Sequence, residues 1–370
     1  TEANDGTYTW TIPSDNVATA KIKIIATDLA GNTTEDSSDN AFLVDSTAPT
    51  VEAGTFANPI KVATAPTGAS ASDDGSGIGT VLWESVSTPA GGELLFSEPS
   101  SILSTLAGSV ADGTYEARVT VTDAVGNVKT DTVSFIWDTT APTGYSVAFN
   151  QDYANSSNEE AISFTFADAE VGATYNYSID DVDNAGTSAV TGTSTISTST
   201  DQITGIDVST LDDETLTITV TLTDPAGNAG TGVTDTIEKD TSAPTVTNTY
   251  IVTTGNNGTG NEFKNGDIIS VSWDNSDAGD NNGDINSVTV DFSEFEGEAT
   301  VVATNTGNIW SATYTLPADV KLTGKKVLVT ATDTAGNPTT TADGDTYNVD
   351  TEKPTVTIDS VTANPTNGDI

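Results

Sequence analysis

Two sets of aspartates recur along this chain at fixed places. Asp28, Asp123, Asp224 and Asp333 each open a T-D-x-x-G-N phrase, and 15 to 17 residues later Asp45, Asp138, Asp240 and Asp350 each open a D-[ST]-x-x-P-T linker. The chain has no His, Cys or Met. The commonest acid–base catalyst and transition-metal ligand is therefore missing, together with thiolate chemistry and any disulfide framework. Carboxylate and amide oxygens remain in abundance, and those are ligands for hard cations, Ca²⁺ above all. Paired carboxylates also flank the scissile bond in glycosidases, about 5 to 10 Å apart. With 54 acidic residues spread through 370, no one pair stands out, and the sequence reads as non-enzymatic.

The elements that must hold these aspartates follow from composition and period. Eleven basic residues against the 54 acidic ones give a net charge of −43, which repels nucleic-acid phosphates and anionic membrane surfaces. Apolar runs fall far short of the roughly 20 residues that a membrane-spanning helix needs. No leader is recognisable at Thr1, so a signal for export is expected outside this stretch. Only 35% of residues are hydrophobic, but they alternate with polar ones, which is the pattern of half-buried strands.

The linker prolines Pro49, Pro142, Pro244 and Pro354 lie 93, 102 and 110 residues apart. That period, with turn signals about every ten residues, suits one β-sandwich per repeat. Complete units are expected at about 49–141, 142–243 and 244–353. Residues 1–48 parallel the second half of a unit, because "DGTYTWTIPSDNVATAKIKIIATD" matches "GNIWSATYTLPADVKLTGKKVLVTATD" in outline. Residues 354–370 read as the start of a further one. Before each phrase runs an alternating strand: Tyr115, Ala117, Val119 and Val121 share a face in one unit, and Leu216, Ile218, Val220 and Leu222 in the next. Asp123 and Asp224 then fall on the inward parity, tolerable only at the very end of a strand. The x-x-G-N that follows is a hairpin signal, with Gly and Asn expected to supply positive φ.

The T-D-x-x-G-N hairpin combined with the D-[ST]-x-x-P-T linker resembles the tandem bacterial immunoglobulin-like repeats of giant secreted adhesins and related cell-surface proteins. The resemblance implies an all-β chain of tandem immunoglobulin-like sandwiches in an elongated array, extracellular, rigidified by Ca²⁺ at the domain junctions. In such a sandwich the turn that carries the phrase faces the linker arriving from the preceding unit. Asp45 then pairs with Asp123, Asp138 with Asp224, and Asp240 with Asp333. The second strand of the sandwich ends at the same pole, adding Asp73 and Asp74 to the first junction, Asp168 and Glu170 to the second, and Asp274 and Asp277 to the third. Carboxylates so gathered repel one another unless a cation sits among them, and Ca²⁺ takes six to eight oxygens where Mg²⁺ keeps its water. The alternative is plain turn chemistry, in which each Asp caps its own loop.

Other features have a structural reading beside a functional one. Asp277, Asp280 and Asp284 in "DNSDAGDNNGDIN" have oxygen-ligand spacing without the order of an EF-hand loop, leaving an extra ion or a solvated loop. "DDVDNAG", 180–186, reads as a solvated loop. Trp10, Trp83, Trp137, Trp273 and Trp310 are expected in cores, with sugar stacking as the alternative. Glycosylation sequons occur at Asn32, Asn155, Asn176 and Asn257. The expected role is that of a Ca²⁺-stiffened stalk whose partners are the neighbouring repeats of the same chain. The other readings are a surface-layer or filament subunit that contacts copies of itself, and a module that binds surface glycans.

Overall fold

In the computed structural model the described residues are 6–359 apart from 13, 15, 108–110, 182–187 and 261. In the three central units the alternating runs become strands, whereas Tyr8, Trp10 and Ile12 near the start alternate without forming one. In Gly113–Asp123 the side chains of Tyr115, Ala117, Val119 and Val121 are fully buried, while the residues between them are exposed or half-buried. This strand lies between Ile78–Ser87 and Val128–Trp137, antiparallel to both. Two short 3-10 turns, Asn248–Tyr250 and Ser293–Phe295, are the only helical pieces among the described residues.

Apolar side chains gather into three clusters, drawn from Val51 to Trp137, from Tyr145 to Ile237, and from Val246 to Val349. The second shows the architecture most fully. A five-stranded sheet (Tyr153–Ala154, Val233–Lys239, Thr215–Thr223, Thr174–Asp181, Val190–Thr195) and a three-stranded sheet (Ser146–Phe149, Ile162–Ala167, Gln202–Ile206) bury their inner faces in one core. That core includes Phe164, Phe166, Ile218 and Val220, so two sheets pack face to face as an immunoglobulin-like sandwich. Tyr115 adds a further mark of this architecture, its hydroxyl donating to the Ala111 carbonyl at 2.8 Å to form a tyrosine corner.

Three short parallel contacts place the linkers. Ile60 bridges Trp137, Tyr153–Ala154 runs beside Val233–Lys239, and Phe263–Lys264 beside Tyr347–Asp350, each the only parallel pairing in its sandwich among the described residues. The Asp138 N–H donates to the Ile60 carbonyl and the Asp240 N–H to that of Ala154, both at 2.9 Å. The linker aspartates therefore leave the final strand from a fixed point. Residues 16–44 form two antiparallel pairings, Val17–Ala20 with Phe42–Val44 and the hairpin of Lys23–Thr27 with Thr33–Ser37, with Asp28 on the turn of the hairpin.

The tryptophans divide. Trp83, Trp137 and Trp273 are buried in the cores, Trp310 is half-buried beside Trp273, and Trp10 is exposed. Most of the "DDVDNAG" stretch lies outside the described residues. Asp181 at its start is buried and accepts a hydrogen bond from the Asp212 N–H at 3.2 Å.

Candidate metal centre at the linkers

Each T-D-x-x-G-N turn is closed by its own aspartate. Asp123 Oδ1 accepts from the N–H groups of Val125, Gly126 and Asn127 at 2.9, 2.7 and 2.8 Å, and its Oδ2 accepts from the Asn127 amide at 2.7 Å. Asp28 with Asn32, Asp224 with Asn228 and Asp333 with Asn337 repeat the pattern. Burial alone would raise the Asp123 carboxyl, but the hydrogen bonds from Asn127, Val125 and Gly126 outweigh it and hold the group below the usual carboxylate range. In every one of these turns the glycine alone has positive φ, at 92° for Gly31, 104° for Gly126, 90° for Gly227 and 98° for Gly336. The asparagines do not share it, contrary to the expectation from the sequence.

What the asparagine does instead is cross the joint. Besides its bond to the turn aspartate, the Asn127 amide donates to the Asp45 carbonyl at 3.1 Å, that of Asn228 to the Asp138 carbonyl at 3.0 Å, and that of Asn337 to the Asp240 carbonyl at 2.9 Å. The three expected pairings of linker and turn aspartate are thus all present, joined by a residue that the sequence reading treated as part of the turn. The linker aspartates cap their own bends: Oδ1 of Asp45, Asp138, Asp240 and Asp350 accepts from the N–H two residues on. Plain turn chemistry is therefore present at every site, and any cation must share these carboxylates with it.

Two of the three joints bring a third carboxylate close. Oxygens of Asp45, Asp73 and Asp123 lie within 4.8 Å of one another, and so do those of Asp240, Asp284 and Asp333. Oxygens about 2.4 Å from one Ca²⁺ are at most about 4.8 Å apart, so each trio fits around one such ion. At the first joint Asp45 Oδ2 accepts from the Ser76 N–H at 2.7 Å, and the Ser76 side chain beside it helps hold the Asp45 carboxyl below its ordinary range, placing a further hard oxygen at the same point. A Cβ at Gly75 would come within 2.4 Å of the Asp45 carboxylate, so only glycine leaves that space open. These residues suit a hard divalent cation.

At the second joint no such trio forms among the described residues; Glu170 is exposed there and feels the charges of Asp224 and Asp138. Its carboxyl is raised above the ordinary range, first by partial desolvation at the joint, then by the negative charges of Asp224 and Asp138. A carboxyl that keeps its proton more tightly folded than unfolded detracts from stability at neutral pH, and the penalty fades as pH falls through the folded value toward the unfolded one. A cation bound between these groups reverses the sign. Titration of Glu170 by NMR in excess chelator is expected to show the raised value, and addition of Ca²⁺ to lower it by about 1 to 3. An unchanged titration would mean that no ion meets Glu170.

The remaining expected ligands are elsewhere. Asp74 and Asp168 are exposed outside the two trios, Asp168 with φ at 55° in the loop after its strand. Asp274 accepts from the Ser276 N–H at 2.9 Å and caps that loop, and Asp277 is exposed. The third joint draws instead on Asp284, directly before Ile285–Asp291. The loop from 275 to 284 folds back over the linker: Asn282 exchanges two hydrogen bonds with the Thr245 backbone at 2.8 Å, and Asp280 accepts from the Thr247 N–H and the Trp273 indole at 2.7 Å. The acidic loop is a built buttress rather than a solvated loop. Its one visible sequence signal is the returning strand that begins at Ile285, which makes Asp284 a pole residue.

No protein-family model and no curated protein matches the chain. Among solved structures, it is similar to a tetra-tandem repeat in the extending region of a large adhesion protein, with 19% identity, 89% of this chain and 81% of that one covered, and a TM-score of 0.28. It is also similar to a structure of a 1.5-MDa bacterial ice-binding adhesin (20% identity, 76% and 90% covered, TM-score 0.33) and to the FN1–FN3 domains of chicken CNTN1 (13% identity, 81% and 98% covered, TM-score 0.35).

Proposed function

We propose that this chain is a jointed segment of a large exported cell-surface protein, an extender of the adhesin-stalk type whose joints are stiffened by Ca²⁺. Its units are 49–141, 142–243 and 244–353, flanked by parts of others at 1–48 and 354–370. The observation that carries the reading is the recurrence of one joint. At three successive linkers a turn aspartate orients an asparagine and the asparagine holds the carbonyl of the linker aspartate, and at the first and third a further carboxylate stands beside them. A chain that repeats its contacts between units as faithfully as those within them is specified for orientation, not only for folding.

Ca²⁺ bound among these carboxylates would offset their local repulsion and tie one unit to the next. Asp45, Asp138 and Asp240 would hold it from the linker side, with Asp73 and Asp123, Glu170 and Asp224, and Asp284 and Asp333 from the following unit. Small-angle scattering of the whole chain tests this. In about 2 mM Ca²⁺, above the range of about 0.1 to 1 mM for extracellular modules, an extended particle is expected, and excess chelator should shorten and broaden its distance distribution. Identical profiles in the two conditions would leave the aspartates as turn caps and end the ion reading.

A further inference from the structure

The residue that follows the parallel bridge in the first two units stands at the same point of its sandwich, Lys61 after Ile60 and Asn155 after Ala154. Both reach across a joint to the same hexapeptide turn of the next unit. The Lys61 ammonium donates to the Gly227 carbonyl, and the Asn155 amide donates to the Ala335 carbonyl at 2.6 Å. The turn glycines leave room for them, since a Cβ at Gly227 would lie 3.3 Å from Lys61 Nζ and one at Gly336 3.1 Å from Asn155 Nδ2.

We propose that this position is a second latch that needs no ion, and that its chemistry makes the joints unequal, a lasting one between 142–243 and 244–353 and a yielding one between 49–141 and 142–243. The inference rests on the reading of the chain as a row of jointed units, not on Ca²⁺. Asn155 is held before it acts, because its Oδ1 accepts from the N–H and hydroxyl of Ser157 at 3.0 and 2.6 Å, which turns its amide toward the next unit. Ser156 adds two bonds, from its N–H and hydroxyl to Asn337 Oδ1 at 2.9 and 2.6 Å. With these, both ends of the Asn337 amide are occupied, and Asn337 and Asp333 are completely buried. Lys61 offers one bond at the end of a flexible stem whose ordering is entropically costly, and its charge is open to screening by salt. The Asn155 amide nitrogen, the atom a glycan would take, donates across the joint, which also argues against its sequon being used.

The chain has no cysteine, so introduced cysteine pairs carrying spin labels can report the distance across either joint in the whole protein. In excess chelator the distribution across the Lys61 joint is expected to be at least twice as broad as that across the Asn155 joint. Raising salt from about 0.05 to 1 M, which cuts the screening length to about 3 Å, should broaden only the former. Asn155→Ala with Ser156→Ala should broaden the latter to match while each unit still melts cooperatively. Equal widths in chelator, or a double variant that keeps the second joint narrow, would overturn the proposal. Failure of Ca²⁺ to narrow the Lys61 joint would count against the ion alone and leave the ranking of the joints standing.

Discussion

Replacing Asp333 with alanine is expected to destabilise the sandwich spanning 244–353 by about 3 kcal/mol or more and to release it from the unit before it. Asp333 is fully buried and accepts from the N–H groups of Gly336 and Asn337, each at 2.7 Å, and from the Asn337 amide at 2.9 Å. Removing it strands the Asn337 N–H and one hydrogen of the Asn337 amide where water has little access and leaves the Gly336 N–H only a 3.3 Å bond to the carbonyl of residue 333, and a buried donor without a partner costs about 1 to 3 kcal/mol. Asn337 then loses the anchor that aims it at the Asp240 carbonyl. The same change at Asp28 gives the opposite control. That turn is closed by similar bonds, at 2.9 Å from the Ala30 and Asn32 N–H groups and 2.8 Å from the Asn32 amide, but it is exposed, so water replaces them. Denaturant unfolding of the two variants should therefore show a large loss for Asp333→Ala and a small one for Asp28→Ala. Equal effects would mean that burial at the joint contributes nothing.

The fold was legible because alternation is a local signal with a global consequence. Once Tyr115, Ala117, Val119 and Val121 share a face, the parity of Asp123 follows, and its burial at 3% confirms it. The pairing of linker and turn aspartates was legible as well, since it needs only the poles of a sandwich. Two things were not. The role of Asn127, Asn228 and Asn337 depends on where an amide points once the turn has closed, and sequence spacing does not encode that direction. The third carboxylate was sought at the end of the second strand, at Asp274 and Asp277, but the loop beyond it folds back onto Thr245 and Thr247 and delivers Asp284 from its far end. Loop length hid it, because a ten-residue excursion between two strands can present any of its carboxylates to the pole. Asp73 lies in a shorter loop, where the choice was narrower.

Asp284 is also the residue at which the two readings of the aspartates separate. Asp333 serves the turn and would serve the ion, so any change there confounds them. The Asp284 carboxylate has no hydrogen-bond partner among the described residues, and it is the backbone carbonyl that fixes its place, accepting from the Thr334 hydroxyl at 2.9 Å. Asp284→Asn keeps the volume and removes the charge. In chelator the variant is expected to be as stable as the parent or slightly more so, since one of three mutually repelling carboxylates is gone. With Ca²⁺ its affinity at this joint should fall about tenfold or more, corresponding to about 1.4 kcal/mol, because ligand charge tunes such sites. Asp277→Asn, in the same loop and also exposed, should change neither quantity. Calorimetric titration of the three proteins decides the matter. If Asp284→Asn binds Ca²⁺ as the parent does, or if Asp277→Asn loses as much, then the trio of Asp240, Asp284 and Asp333 is not a coordination shell. The repeated aspartates would then be explained entirely by the turns they close and the asparagines they aim.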